Sequence, residues 1–354
     1  MTINLHPLQV NPLAHFFKKH KDKFLKHKDK FIWMHSLYAL AFGVGVMWLG
    51  SRNFGYIRLA IVELTFIWLS GLAIPSILAN KKINLQWKHR IRLSINYFNR
   101  NFYQQLLFFV LPIYYMSSTP GSLNMLFIVL VGVSAVFSTM DIVYDRYISV
   151  KATIMSLFFA FNLFAAINAM LPILWGVRSV QAIRFSGLLA FLGFATFCFR
   201  LSDVKAGKKW LITAIAAVMI FVVSELGRPF IPPAPLRLEK ALFGETIDME
   251  TREIRSPLLY LPGGTRKIYV LTVIKTQLMQ RERIQHTWYL EGKKIYTSGL
   301  FRIMGGGKNG FRLWTYFTLK QVFPGSTLRV DVKTEGGQLV GRAYLGPKLP
   351  APTS

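Results

Sequence analysis

The sequence predicts a membrane-embedded all-α bundle of about seven helices, joined to a C-terminal all-β, antiparallel, sandwich-like domain. Three observations carry that prediction. Hydrophobic residues make up 52% of the 354, and mean hydropathy is +0.35, too apolar for an ordinary soluble globule. Long apolar runs fill the chain from Phe31 to about Phe230, whereas the remainder alternates like a soluble β protein. Basic residues, finally, cluster in short segments between the apolar runs, as topology signals do.

Lipid offers no partner to an unsatisfied backbone amide, so an apolar run of about twenty residues reads as a spanning helix. Seven such runs cover about 31–50, 56–79, 103–118, 122–141, 153–175, 182–200 and 210–227. Pro112 interrupts the third, while Pro75 and Pro172 read as kinks that a bundle tolerates. Nineteen Lys/Arg fall in the N-terminal segment and the second, fourth and sixth loops. Against them the opposite loops hold four: Arg52, Arg58, Arg178 and Arg184. That bias places the N-terminus in the cytoplasm and the C-terminus outside. The expected domains are a basic segment 1–30, helices 31–228, a Pro-rich linker 229–238, a β domain 239–347 and a tail 348–354.

The formal charge of +27 could suggest nucleic acid, but its distribution between apolar runs argues against such a partner. Residues up to Pro235 contain 24 Lys/Arg and 7 Asp/Glu, and the rest contain 19 and 9, so the β domain carries +10. Cys198 is the only cysteine, so no intrachain disulfide is possible and the β domain must rely on its own core. The polar leader before the first run is long for a cleaved signal peptide and shows no small-residue cleavage site.

The leader repeats Lys-His-Lys-Asp-Lys-Phe at Lys19–Phe24 and Lys26–Phe31, which puts Phe17, Phe24 and Phe31 on one stripe. This reads as a basic amphipathic helix on the anionic inner leaflet, with His20 and His27 on its polar face. Trp87, Ile91, Ile95, Phe98 and Phe102 repeat the device in the second inner loop, as an interfacial helix or a docking site for an acidic partner.

After PFIPPAP (Pro229–Pro235), strand-like runs alternate with turns. They cover Lys267–Thr276, Arg283–Leu290, Lys293–Ile303, Phe311–Leu319, Ser326–Thr334 and Leu339–Leu345, and imply a meander closed into a sandwich or barrel. Three segments carry a resemblance: IQHTWYLEGKKI (Ile284–Ile295), GFRLWTYFTL (Gly310–Leu319) and PGSTLRVDVKTEGGQLVGRAYL (Pro324–Leu345). They resemble the bacterial family catalogued as domain of unknown function 2914, over roughly residues 240–346. Thr327 departs from that pattern where a Trp often follows the Pro-Gly turn, and so does Arg252–Glu253–Ile254, where a Pro commonly follows. The resemblance implies an envelope protein that couples the domain to membrane helices, and implies no activity.

Glu63 is the only acidic residue well inside an apolar run. It could bind a proton or cation beside Asn162 or Asn168, or pair near the outer interface with Arg58 or Arg52. Glu225 and Arg228 read as anchors at the outer end of the last helix, and Asp141, Asp145 and Arg146 as an inner helix-end ion pair. His286 and Trp288 share a strand face and, with Arg312 and Trp314, are candidate ligand-binding residues. The alternative is that His286 bonds a neighbouring strand while Trp288 fills the core. No zinc spacing, nucleophile elbow or true phosphate loop is present, Gly305–Gly310 included, so no metal, cofactor or catalytic residue is expected.

Together these features favour a non-enzymatic inner-membrane protein that presents a β domain to the periplasm for an anionic partner. A small-solute or lipid transporter with an accessory β domain is the alternative.

Overall fold

The computed structural model describes most of residues 34–346. Outside the description lie 1–33, 49–60, 78–83 and 347–354; the short stretches 71–72, 74–76, 141–143, 149–150, 202–204, 277–280 and 304–309; and positions 35, 47, 64, 252 and 324. The basic repeat, the Gly305–Gly310 loop (apart from Gly310) and the partners expected for Glu63 at Arg52 or Arg58 therefore fall outside it. So do the side chains of Asp141, Asp145 and Arg146.

The first part is helical. Two apolar stretches, α1 (Ser36–Val46) and α2 (Ile61–Ser70), precede α3 (Leu85–Met116) and α4 (Met125–Thr139). Then follow α5 (Ala152–Trp175), α6 (Ser179–Leu201) and α7 (Ala206–Leu226). Among the described residues three helices are long and apolar enough to cross a membrane: Thr153–Trp175 in α5, Ser179–Phe199 in α6 and all of α7.

Among the described residues the seven expected spans are thus met by three. The expected spans 31–50 and 56–79 run over residues outside the description, whereas the third and fourth miss for identifiable reasons. With 15 residues, α4 reaches only about 22 Å, against a hydrocarbon core of about 30 Å. The expected third span is not a separate helix but the apolar half of the 32-residue α3, whose polar half carries the interfacial stripe expected at 87–102. Pro112 does not break it, because Tyr103, Leu106–Val110, Ile113 and Tyr114 are buried on all sides and neighbouring helices hold the backbone.

Aromatic residues mark both ends of the bundle. Trp87, Tyr147 and Trp210 are exposed at the end that carries Lys151, Lys205, Lys208 and Lys209, and Tyr115 and Trp175 are exposed at the other. At the basic end Lys209 Nζ donates to the Phe199 carbonyl at 3.2 Å and so caps the C-terminus of α6.

The β domain is a two-sheet sandwich. One sheet has the order β1 (Arg237–Gly244), β2 (Gly264–Lys275), β6 (Phe311–Val322). The other has β4 (Lys293–Thr297), β3 (Arg283–Leu290), β7 (Leu328–Thr334), β8 (Leu339–Leu345), with β5 (Phe301–Arg302) also on β3. All pairings are antiparallel. The topology is not the expected meander: β6 leaves the β3–β5 sheet to pair with β2, and the chain returns to β3 through β7. Its core packs Phe243, Ile268, Val270 and Leu319 of one sheet against Trp288, Leu328, Val330 and Ala343 of the other.

The Pro-rich segment is no exposed spacer. Residues 231–236 are all buried: Ile231 and Ala234 join the helical core and Leu236 joins the β core. The β7–β8 hairpin completes the dock. Gln338 Nε2 donates to the Ile231 carbonyl at 2.8 Å, and Asn124 Nδ2, in the α3–α4 loop, to the Leu339 carbonyl at 3.2 Å. Arg178 pairs with Glu335 at 3.2 Å, and the Ser179 amide donates to Glu282 at 2.6 Å. The last contact lays a carboxylate on the N-terminus of α6, where the helix dipole favours it. The α3–α4 turn, the α5–α6 turn and the end of α7 therefore all lie on the side of the bundle that carries the β domain.

Candidate functional site

His286 and Trp288 lie inside the sandwich, both fully buried, because even-numbered residues of β3 face the opposite sheet. Trp288 Nε1 donates to Thr315 Oγ1 at 3.2 Å. The same hydroxyl lies 2.8 Å from His286 Nδ1, and His286 Nε2 lies 2.9 Å from Thr272 Oγ1. Thr272 in turn donates to the Leu313 carbonyl at 3.2 Å. Only one assignment of protons satisfies every member. Trp288 N–H donates to Thr315, Thr315 O–H to Nδ1, Nε2–H to Thr272, and Thr272 O–H to the carbonyl. The histidine is then neutral, with its proton on Nε2. Burial lowers its pKa from 6.5 to about 3, since an imidazolium in this dry interior would lose solvation. Protonation at Nδ1 would also leave the Thr315 hydroxyl hydrogen without its acceptor.

This arrangement is structural. It bolts β3 to β2 and β6 across the sandwich, and both side chains are buried between the sheets. Trp288 packs in the sandwich core, and the imidazole bonds the opposite sheet rather than a neighbouring strand.

Arg312 and Trp314 stand elsewhere, on the outer face of β6, where alternation turns them away from Leu313 and Thr315. They share this face with residues that sequence reasoning missed. Tyr269 lies opposite Tyr316, and Leu271 opposite Trp314. Ring centroids are 5.5 Å apart for Tyr269–Tyr316 and 6.2 Å for Tyr269–Trp314. The Lys267 ammonium stands 4.1 Å from the Tyr316 centroid and 5.1 Å from that of Tyr269. Hydrogen bonding to Tyr269 raises its pKa.

The neighbouring cations are spent on carboxylates: Arg312 on Glu253 at 3.1 Å and Arg266 on Glu245 at 3.1 Å. Lys267 joins no ion pair among the described residues. Alternating aromatics on β2 and β6 were visible in the sequence, but their register was not, so the cross-strand cluster could not be assembled from it.

The outer face of the other sheet is closed on itself. Asp331, almost fully buried, receives Arg342 at 2.7 Å and lies 3.3 Å from Arg329 and 3.9 Å from Lys333. Lys333 also donates to Tyr289, over whose ring Arg329 stacks at 4.0 Å. Hydrogen bonding to Asp331 raises the pKa of Arg342. All these groups face one another, which leaves the sheet carrying Lys267 as the open face.

In the bundle the polar candidates are not brought together. Asn168 Nδ2 donates to the Tyr114 hydroxyl at 3.0 Å, which donates to the Ala165 carbonyl at 2.7 Å. Asn162 Nδ2 turns back on the Phe158 carbonyl at 2.6 Å. Glu63 is buried, and no described contact joins it to either asparagine. Among the described residues no three His, Cys, Asp or Glu converge to hold a metal ion.

A search of curated proteins returns no match. The profile of a family described as a family of unknown function, DUF5924, matches residues 14–261. The family shown is thus not the one that the C-terminal strands resemble. Its span is the helical region, the linker and β1 rather than residues 240–346. On this match, which covers most of the chain, the protein belongs to the family of unknown function DUF5924.

Proposed function

We propose that this protein is a non-enzymatic, multi-pass inner-membrane protein that holds its β domain rigidly on the periplasmic side, where the open sheet face binds an anionic partner. The observation that carries the reading is the Lys267–Tyr269–Trp314–Tyr316 cluster. It sets large aromatic surfaces and an ammonium without a carboxylate partner among the described residues on one face of a domain with a charge of +10. Rigid aromatic side chains beside a cation are what binding hot spots are made of. The docked hairpin and buried linker hold that face at a fixed orientation to the membrane.

Further apolar segments, α1, α2, α3 and α4, complete the membrane domain. The charge asymmetry and the two aromatic belts support an orientation with the basic end in the cytoplasm. The resemblance of the later strands to domain of unknown function 2914 agrees with an envelope role.

Binding of polygalacturonate, against neutral dextran, to the full-length protein in detergent micelles tests the reading. Trp314→Ala leaves the charge unchanged and is expected to weaken binding about tenfold, as is Lys267→Ala. Raising salt should weaken the wild type steeply. Binding by Trp314→Ala and Lys267→Ala equal to wild type would mean diffuse electrostatics and would refute a built site.

A further inference from the structure

Two arginines share one carboxylate where α6 and α7 meet at the end of the bundle nearest the β domain. Arg184 Nε donates to Glu225 Oε1 at 2.7 Å and its Nη2 to Oε2 at 3.4 Å. Arg228 reaches the same Oε2 through Nη2, and its Nε donates to the Ser224 carbonyl at 3.3 Å. One carboxylate neutralises one guanidinium, so the cluster keeps a net positive charge. Among the described residues no other carboxylate pairs with either arginine, and no described hydrogen bond uses the Nη1 group of either. The Arg228 side chain is only 15% exposed. Its pKa is lowered first by burial and then by repulsion from Arg184, which marks a charge that Glu225 does not fully satisfy.

The walls beside this cluster are apolar and uncovered. Phe185, Leu188 and Leu192 of α6 and Phe221, Val222 and Leu226 of α7 are exposed, on two helices long and apolar enough to cross a membrane. Gly187 lets the helices close up, since a Cβ there would collide with the Ser224 hydroxyl. Arg184 stands five residues after Ser179, about 8 Å along the axis from the start of α6, and Glu225 lies in the last turn of α7. Those positions match the headgroup level of a leaflet whose acyl chains cover the apolar walls. Phosphate is the anion available there, and arginine forks bind its oxygens well.

We propose that Arg184 and Arg228 form a headgroup site for an anionic phospholipid. The lipid phosphate accepts from their free Nη1 groups, and its acyl chains lie along the exposed residues of α6 and α7. This rests on the reading that α6 and α7 cross the bilayer. It does not depend on what the β domain binds. Free phosphate offers the same oxygens, and the test separates the two sources.

Purified full-length protein in detergent micelles is titrated with phosphatidylglycerol, phosphatidylcholine or inorganic phosphate, and bound lipid is counted by native mass spectrometry. Wild type is expected to retain phosphatidylglycerol saturably and more tightly than phosphatidylcholine. Arg184→Gln should weaken phosphatidylglycerol about tenfold, the worth of a charge-assisted hydrogen bond. Lys209→Gln, at the opposite end of the bundle, should leave it unchanged. Glu225→Gln removes the competing carboxylate and should tighten binding, a gain that misfolding cannot imitate. Equal retention by wild type and Arg184→Gln, or weaker retention by Glu225→Gln, would overturn the proposal. Displacement of the lipid by millimolar inorganic phosphate would assign the site to a soluble anion and overturn it too. Failure of the β domain to bind polygalacturonate would leave each of these results unaltered.

Discussion

Acid should weaken the β domain through His286, by an amount the structure sets. In the folded chain its pKa is about 3, and in the unfolded chain about 6.5. Above pH 6.5 both states hold a neutral ring and stability is full. Between pH 6.5 and 3 the unfolded chain binds a proton that the folded chain refuses, so stability falls by about 1.4 kcal/mol per pH unit. The whole window is worth about 5 kcal/mol, and about 3 kcal/mol is gone by pH 4.5. For a domain near 100 residues that loss lowers Tm by roughly 10–20 °C.

The assay is thermal unfolding of the full-length protein in micelles, followed by tryptophan emission from pH 7.5 to 4. His286→Gln is the reference, because carboxylate titrations are common to both proteins and cancel in the difference. Wild type should be the more stable at neutral pH. Its advantage should shrink steadily below pH 6.5. A difference that stays constant from pH 7.5 to 4 would show that the ring is not held neutral by burial, and the ordered chain from Trp288 to Leu313 would fall with it.

Other variants probe the remaining parts of the account. Trp288→Ala should cost the β domain about 3–5 kcal/mol by cavity formation and loss of the Thr315 bond, read as a lower Tm of the β-domain transition. Asp331→Ala strands Arg342, Arg329 and Lys333 around a buried gap and should cost about 3–5 kcal/mol, whereas Asp331→Asn should cost less, both measured by the same melts. Glu282 is buried at the N-terminus of α6, with its pKa raised chiefly by desolvation. Glu282→Ala should loosen the dock without unfolding either part, seen as faster hydrogen exchange at Gln338 and Ile231 with unchanged protection of β3 and β7.

How far these features were legible in the sequence depended on whether a local pattern carried them. Strand β3 was read at Arg283–Leu290 and β8 at Leu339–Leu345, as observed, because tight turns and alternation bracket both. β1 was missed: Arg237–Gly244 alternates poorly, since both of its faces are partly covered. The path of β6 into the other sheet was also invisible, for pairing partners are a non-local choice.

The same limit governed the site. His286 and Trp288 were correctly placed on one face, but whether that face met solvent or the opposite sheet needed the fold. Trp314 was singled out without Tyr269 and Tyr316, which approach it only through the β2–β6 register. In the bundle, α3 shows that an interfacial stripe and an apolar run can be one helix, a continuity that hydropathy alone splits at the change of composition.

On the proposed function the β domain stands on the side of the membrane opposite the basic helix ends. Paired cytoplasmic and periplasmic reporters fused after Ser354 decide that placement. Activity of the periplasmic reporter alone is the predicted result, and it fits a hairpin docked on the α3–α4 and α5–α6 turns. Activity of the cytoplasmic reporter alone would contradict the account, placing the open face of β2 and β6 and the Arg184–Glu225–Arg228 cluster on the inner side.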